Sequence, residues 1–209
     1  LMDWHKSMGH LNPTDVKRII ENKVVEGAAL SPSEENTNCE DCLVARGNRE
    51  PHDREAEREP ENVAELISGD LLVTGQGEAG MDGESFALVM TDHYSGYTRV
   101  WPIHAKTAKV VTEKIVEFVE LLENHTGQKT KYLRTDGGTE FVNDTLDKYT
   151  ATKGIKREVT APGDSKGNGR SERMNRTLRE SARSMLAGTN LDESYWTWAI
   201  RTAAYVHNL

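Results

Sequence analysis

The order of predicted strands and helices after residue 64 constrains the fold of this chain more than any other feature. Apolar runs predict the strands, and Gly, Pro and Asn mark the breaks between them. An antiparallel meander comes first, followed by helix, strand, helix, strand and two final helices. This order is typical of an α/β fold with a mixed sheet. The predicted strands are 66–73, 86–91, 98–101, 132–136 and 155–160, and the predicted helices begin near residues 107, 143, 170 and 195.

The segment before this core is interpreted as two further parts. Residues 1–45 predict a small helical module, in which Asn12-Pro13 is a favourable helix start. Residues 46–63 are charged, contain Pro51 and Pro60 and include almost no large apolar residue, which indicates a linker. The core is therefore predicted to cover 64–209.

The N-terminal module contains four residues with the spacing of metal ligands. His5 and His10 are separated by four residues, and the only two cysteines of the chain, Cys39 and Cys42, follow as a C-x-x-C pair. Two imidazoles and two thiolates satisfy a tetrahedral Zn²⁺ ion, and such a closed site is structural. A module of this size has too small a core to fold without such help. The alternative is a pair of surface histidines with a buried or redox-active cysteine pair.

Three carboxylates in the core form a candidate site for two Mg²⁺ ions. Asp136 follows a short strand and precedes two glycines, and 35 residues separate it from Glu172. Asp70 lies within an apolar strand, where a carboxylate is costly unless it is paired or bound to a metal. Asp92, at the end of the next strand, is the alternative first ligand. Hard divalent cations prefer such oxygen ligands, and a pair of them suits phosphodiester chemistry.

The helix that begins at Arg170 predicts a surface for phosphate groups. At about 100° per residue, Glu172 falls on the same narrow face as three arginines. Guanidinium groups keep their charge and make bidentate contacts with phosphate. The alternative is an ordinary Glu172–Arg176 ion pair, which leaves the other two arginines unexplained. The three arginines are Arg176, Arg179 and Arg183.

The distribution of charge agrees with a local anion-binding site. The net charge of −8 argues against a protein that coats nucleic acid non-specifically. Between residues 153 and 183, however, nine Lys and Arg residues stand against four acids. The sequence contains no apolar run of membrane-spanning length, and no membrane partner is expected.

Taken together, these motifs resemble the integrase of LTR retrotransposons, most closely the copia type (Pseudoviridae), which is part of a retrovirus-related Pol polyprotein. The N-terminal module resembles the HHCC (GAG-pre-integrase-like) zinc domain, and the rest resembles a D,D(35)E catalytic core. Gly137 departs from the Asn usual at that position, which concerns the loop and removes no carboxylate. The matching segments are 4–10, 39–42, 134–141, 168–178 and 195–208.

The resemblance implies an RNase H-like core and a polynucleotidyl transferase of the DDE class, which joins the 3′-OH ends of element cDNA to target DNA. It implies that Asp70, Asp136 and Glu172 bind two Mg²⁺ (or Mn²⁺) ions, and that one structural Zn²⁺ lies in the N-terminal module. It further implies a homo-oligomer on DNA, action in the nucleus, and assembly in cytoplasmic virus-like particles. The family's C-terminal DNA-binding domain is not expected in these residues. The residues expected to contact nucleic acid are Lys166, Asn168, Arg173, Arg176, Arg179 and Arg183.

Two other functions remain open at this point. Another RNase H-like nuclease or transposase shares the three carboxylates but does not require the HHCC module. An inactive, domesticated element uses the module and core only to bind nucleic acid.

Overall fold

The computed structural model describes residues 1–30, 39–45, 59–73, 79–160, 169–189 and 191–209. The chain divides into two compact units, one formed by 1–51 with 176–209 and the other by 52–175. The predicted boundaries of the linker stay a prediction, because 46–58 lie outside the described residues.

The helices and strands follow the predicted order. The helices are α1 (Met2–Ser7), α2 (Pro13–Glu21), α3 (Glu40–Ala45), α4 (Ala108–Thr126), α5 (Asp144–Lys153), α6 (Gly169–Thr189) and α7 (Trp196–His207). The strands are β1 (Leu66–Val73), β2 (Phe86–Asp92), β3 (Thr98–Ile103), β4 (Tyr132–Asp136) and β5 (Lys156–Thr160). A short 3₁₀ helix, Glu193–Tyr195, precedes α7.

The five strands form one mixed sheet in the order β3-β2-β1-β4-β5. β2 pairs antiparallel with both β1 and β3, whereas β4 pairs parallel with both β1 and β5. The predicted α/β fold with a mixed five-stranded sheet flanked by helices is therefore confirmed. The third strand is longer than predicted and includes Pro102, which an edge strand tolerates.

One face of the sheet carries the hydrophobic core of the 52–175 unit. Strand residues such as Ile67, Met90 and Leu133 lie on this face and are fully buried. They pack with the apolar stripe of α4, of which Ile115 and Phe118 are fully buried. Alternation along each strand sends the neighbouring side chains to the opposite face.

The opposite face carries a row of polar side chains that crosses all five strands. The strand register places these residues side by side, and most of them are buried. Hydroxyl–hydroxyl and ion-pair contacts satisfy members of the row at both ends. Buried side chains in such a row require these partners, because a buried polar group without a hydrogen bond destabilises the fold. The row consists of Thr98, Thr91, Ser68, Arg134 and Glu158.

The other unit has a small core of its own. The predicted helix start is present: Asn12 caps α2, its Oδ1 accepting a hydrogen bond from the Thr14 N–H at 2.9 Å, and Pro13 is the first helical residue. Among the described residues, no helix is long and apolar enough to cross a membrane. The hydrophobic core of this unit consists of Leu1, Met8, Val16, Ile19, Ile20 and Val206.

Candidate active site and metal centre

Asp70 and Asp136 lie on adjacent parallel strands. The parallel pairing of β1 with β4 runs from Leu66 opposite Tyr132 to Ser68 opposite Arg134. Asp70 and Asp136 each lie two residues beyond the last pair of this ladder, so alternation directs both side chains to the sheet face that bears the polar row. Both residues are half-buried.

Both carboxylate oxygens of Asp70 accept hydrogen bonds. Oδ1 accepts from the backbone N–H of Leu71 at 2.8 Å. Oδ2 accepts from the side-chain amide of Asn175 on α6 at 2.5 Å. The carboxylate is therefore held by its own strand and by a helix that lies 105 residues further along the chain.

Contacts from the first turns of α6 hold this helix against β1. Besides the bond from Asn175, the Ser171 hydroxyl contacts the Ser68 hydroxyl at 2.7 Å, and both serines are buried. Glu172 lies three residues before Asn175, about 60° around the helix. Its exposed side chain thus leaves α6 at the edge of the face that meets β1.

Asp136 lies at the start of a tight glycine turn. Its Oδ1 accepts a hydrogen bond from the Gly138 N–H at 2.9 Å. A Cβ atom on Gly138 would lie 2.9 Å from the Glu140 carboxyl group and 3.0 Å from Asp136 Oδ1. Glu140, which the sequence analysis did not single out, therefore adds another carboxylate beside Asp136, and Lys106 Nζ lies 3.9 Å from it.

Asp92, the alternative first ligand, makes hydrogen bonds that stabilise the local backbone. It is fully buried, and its oxygens accept from the backbone N–H groups of Ala64 and Ser95 and from the Ser95 hydroxyl. These bonds hold the turn after β2 and the entry to β1. The Asp92 carboxylate is therefore fully buried and already hydrogen-bonded, whereas the Asp70 carboxylate is only half-buried.

The predicted phosphate-binding residues differ in exposure. Arg173, Arg179 and Arg183 are exposed on α6, and Arg176 is half-buried. Lys166 and Asn168 lie outside the described residues. The roles of these residues in binding nucleic acid, like the catalytic roles of the three carboxylates, stay predictions.

Arginines surround a buried histidine that follows β2. His93 is 1% exposed, and its Nε2 has no hydrogen-bond partner among the described residues. Burial, and then the positive charges of Arg134, Arg170 and Arg173, lower the pKa of His93 to about 3. His93 is therefore neutral at physiological pH.

The four predicted zinc ligands lie together in the unit formed by 1–51 and 176–209. Their ligand atoms all lie within 4.8 Å of one another, and all four residues are buried. Cys39 Sγ and Cys42 Sγ lie 3.3 and 3.4 Å from His10 Nδ1, and Cys42 Sγ lies 3.3 Å from His5 Nε2. Tetrahedral Zn²⁺ with ordinary bond lengths separates N and S ligands by about 3.6 Å. The cluster fits a zinc site.

Local backbone geometry and a second hydrogen bond orient these ligands. Gly9 and His10 both have left-handed φ angles, 61° and 60°, which turn the chain back after α1 so that His10 returns beside His5. His5 Nδ1 lies 2.7 Å from the Leu11 carbonyl oxygen, so it carries the proton and leaves Nε2 free to bind a metal.

Sequence reasoning missed Asn175 and Glu140, which lie beside the candidate carboxylates, and it missed the contact of Ser171 that holds α6 against β1. Asn175 lies three residues after Glu172 in a predicted helix, which is a signal for a shared face. The partners of both α6 residues, Ser68 and Asp70, lie more than a hundred residues earlier in the chain. No local pattern reports such a contact.

Comparison with known proteins identifies the family. The integrase core domain family matches residues 60–165. The chain is 32% identical over 208 residues to the retrovirus-related Pol polyprotein from transposon TNT 1-94 of Nicotiana tabacum, covering 98% of the chain and 15% of that protein. It is 28% identical over 205 residues to the corresponding polyprotein from transposon RE1 of Arabidopsis thaliana, covering 98% of the chain and 13% of that protein.

The chain thus spans only about one seventh of the length of these relatives. The similarity nevertheless extends over nearly all of its own residues, including the segment with the histidine and cysteine ligands. The resemblance inferred from the motifs is confirmed, and the chain belongs to the integrase core domain family.

Proposed function

We propose that this chain comprises the zinc module and catalytic core of a DNA integrase that joins the 3′-OH ends of retroelement cDNA to target DNA. The same site would serve any trimming of the cDNA ends that precedes joining. Asp70, Asp136 and Glu172 are the catalytic carboxylates in this proposal.

One observation carries the proposal most directly. Asp70 and Asp136 lie on adjacent parallel strands, and α6 is held against β1 by the hydrogen bond from Asn175 to Asp70. The carboxyl ends of parallel strands are the usual place for ligand-binding groups in α/β proteins. In this proposal Glu172, three residues before Asn175 on α6, completes a set of three acids from separate elements.

The donor set fits divalent metal ions of the Mg²⁺ or Mn²⁺ type, because it consists of carboxylate oxygens on accessible or half-buried side chains. Asp70, Asp136 and Glu172 would hold two such ions. When bound, these ions lower the barrier to in-line attack on a phosphodiester by activating the nucleophile and stabilising the leaving oxygen. In this proposal the neighbouring strands β1 and β4 would supply two of the ligands, and α6 would supply the third.

The N-terminal cluster of His5, His10, Cys39 and Cys42 would hold one Zn²⁺ ion. Its four ligands leave no open coordination position, so its contribution is to stability. His5 is already held in the correct tautomer by the Leu11 carbonyl group.

The exposed arginines of α6 would contact DNA phosphates, together with Lys166 and Asn168. We further propose that the protein acts on host DNA in the nucleus as a homo-oligomer assembled on DNA, after assembly in cytoplasmic virus-like particles. Removing an arginine that contacts a phosphate weakens binding to all sequences and reduces its salt dependence. Arg179→Ala and Arg183→Ala should both show this behaviour, since both side chains are exposed.

A strand-transfer assay tests the proposal. The full-length gene product that carries this chain is incubated with an oligonucleotide bearing an element end, a target plasmid and Mg²⁺. We expect joined products from the wild type and a loss of at least a hundredfold for Glu172→Gln. Glu180→Gln is the matched control, because it removes a carboxylate from the same helix at a position outside the three-acid set.

The other outcomes decide against the proposal. Metal-dependent cleavage without joining would identify a nuclease, and DNA binding without either reaction would identify a domesticated binding element. Joining that survives Glu172→Gln would show that the carboxylate assignment is wrong.

A further inference from the structure

Asn175 of α6 contacts the Asp70 carboxylate on β1. Its side-chain amide donates to Asp70 Oδ2, while Oδ1 of the same carboxylate accepts from the Leu71 backbone. Asn175 is only 6% exposed, although asparagine is usually a surface residue. A buried amide in this position requires an explanation.

The amide oxygen of Asn175 is also unusual. Its Oδ1 is buried and has no hydrogen-bond partner among the described residues. A buried acceptor without a partner is unfavourable, because it has lost its hydrogen bonds to water. A residue chosen for packing alone would avoid this cost, since an apolar side chain of similar size has no acceptor to bury.

We propose that Asn175 is a positioning residue, which holds the Asp70 carboxylate in the orientation that binds the divalent cation and fixes the first turns of α6, with Glu172, against β1. This inference rests on the proposed function. Asn175 itself is not placed among the metal ligands. Ligating carboxylates in metal sites are commonly held by a hydrogen bond from a neighbouring group, and loss of that group weakens metal binding or activity about 10- to 100-fold.

Ser171 provides a matched comparison within the same helix. Its hydroxyl makes a buried hydrogen bond from α6 to Ser68 of β1, and no carboxylate takes part in that bond. Ser171→Ala therefore removes a buried bond between the helix and β1 and leaves in place the hydrogen bonds that Asp70 accepts from Asn175 and Leu71. If α6 matters only as a packed element, the two positions should behave alike.

The first measurement is Mn²⁺ binding to the 209-residue chain without DNA, followed by electron paramagnetic resonance. For Asn175→Ala we expect a Kd raised about tenfold or more. For Ser171→Ala we expect a Kd within about threefold of the wild type. Thermal melting and zinc content accompany each variant, so that a change in Kd is read only for a folded chain.

The second measurement is strand transfer by the full-length gene product, where the isosteric change Asn175→Asp is informative. Aspartate keeps the shape of asparagine but replaces the donor with a second negative charge beside Asp70. A packing role predicts that Asn175→Asp is milder than Asn175→Ala. A positioning role predicts that it is at least as damaging, with more than a tenfold loss of rate.

Several results would overturn the inference. They are an unchanged Mn²⁺ affinity in a folded Asn175→Ala chain, equal losses for Asn175→Ala and Ser171→Ala, and an Asn175→Asp variant more active than Asn175→Ala. If the wild type joins no DNA but binds Mn²⁺ and loses it on Asn175→Ala, the proposed function fails while the positioning role stands. If the wild type joins DNA and Asn175→Ala matches it in rate and metal affinity, the positioning role fails while the proposed function stands.

Discussion

At the scale of single residues, the environment separates carboxylates that the sequence makes look alike. Asp70 and Asp92 both lie in apolar strands and both were candidates for the first metal ligand. Asp92 is fully buried and accepts from Ala64 and Ser95, which gives it the environment of a structural residue. Asp70 is half-buried and held by a side chain from another element, which suits a ligand that must remain accessible.

The turn after Asp136 leaves little room for a side chain at Gly138. Gly138→Ala should reduce strand transfer at least tenfold with little change in melting temperature. The added methyl group would lie 2.9 Å from the Glu140 carboxyl group and 3.0 Å from Asp136 Oδ1, so one of these carboxylates must move. The atoms that move are the ends of flexible side chains, so the fold accommodates them easily.

Gly137→Ala is the matched control for this prediction. A Cβ atom there lies 3.8 Å from the Thr160 carbonyl oxygen and 3.9 Å from Val159, both ordinary van der Waals distances. Activity assays and thermal melting of the two variants make the comparison. Equal activities would show that the Asp136 carboxylate does not depend on the space beside Gly138.

At the scale of strands and helices, the order of elements could be predicted but the contacts between them could not. Apolar runs and turn residues are local signals, and they predicted all five strands. The helical spacing likewise placed Glu172 with its arginines on one helix. The bond from Asn175 to Asp70, however, depends on how α6 packs on the sheet, and the Arg134–Glu158 pair depends on the register of β4 with β5.

The Arg134–Glu158 ion pair joins the neighbouring strands β4 and β5. Arg134 Nε and Nη2 donate to Glu158 Oε2 at 3.1 and 2.9 Å, and the Arg134 side chain is only 8% exposed. Glu158→Ala should lower the free energy of unfolding by about 3 kcal/mol or more, because it leaves a buried charge unpaired. Urea denaturation measures the change.

A solvent-exposed ion pair is the control. Arg18 Nη2 contacts Asp15 Oδ1 at 2.9 Å, and the two side chains are 71% and 38% exposed. Asp15→Ala should cost no more than about 1 kcal/mol, as is usual for a pair whose partners are both exposed. A loss as large as that for Glu158→Ala would contradict the argument from burial.

At the scale of the whole molecule, each unit depends on a different source of stability. The unit formed by 52–175 has a continuous apolar core between the sheet and its helices. The unit formed by 1–51 and 176–209 has a smaller apolar cluster and the four metal ligands. Gly188 of α6 belongs to this second unit, and a Cβ atom there would lie 3.7 Å from His10 Nε2, so α6 passes close to the metal centre.

Removal of zinc should therefore affect the two units unequally. We expect one Zn²⁺ per chain, and a chelator or Cys42→Ser should increase hydrogen exchange in α1 and α2 by at least tenfold, since a small module loses the ligand that stabilises it. Amides of β1 and β2 should keep their protection. His104→Ala, at an exposed histidine outside the cluster, should leave zinc content unchanged. Equal exchange in α1 and α2 with and without zinc would rule out a stabilising ion.

The dependence of stability on pH tests how the whole fold constrains His93. The pKa of this residue is about 3 in the folded protein, because of burial and the charges of nearby arginines, against an ordinary value of 6.5. Between these two values the unfolded chain takes up a proton that the folded chain does not, so acid favours unfolding. The contribution of His93 is fully present above pH 6.5 and is lost as the pH falls toward 3, with a slope of up to about 1.4 kcal/mol per pH unit.

Replacing His93 with a residue that does not titrate isolates this contribution. The carboxylates of the protein act alike in the wild type and in His93→Gln, so the difference between their stability curves reports His93 alone. We expect the free energy of unfolding, measured by urea denaturation at intervals from pH 7 to pH 4, to fall less steeply in His93→Gln than in the wild type. Parallel curves would mean that the His93 ring is protonated in the folded state, despite its 1% exposure and the arginines around it.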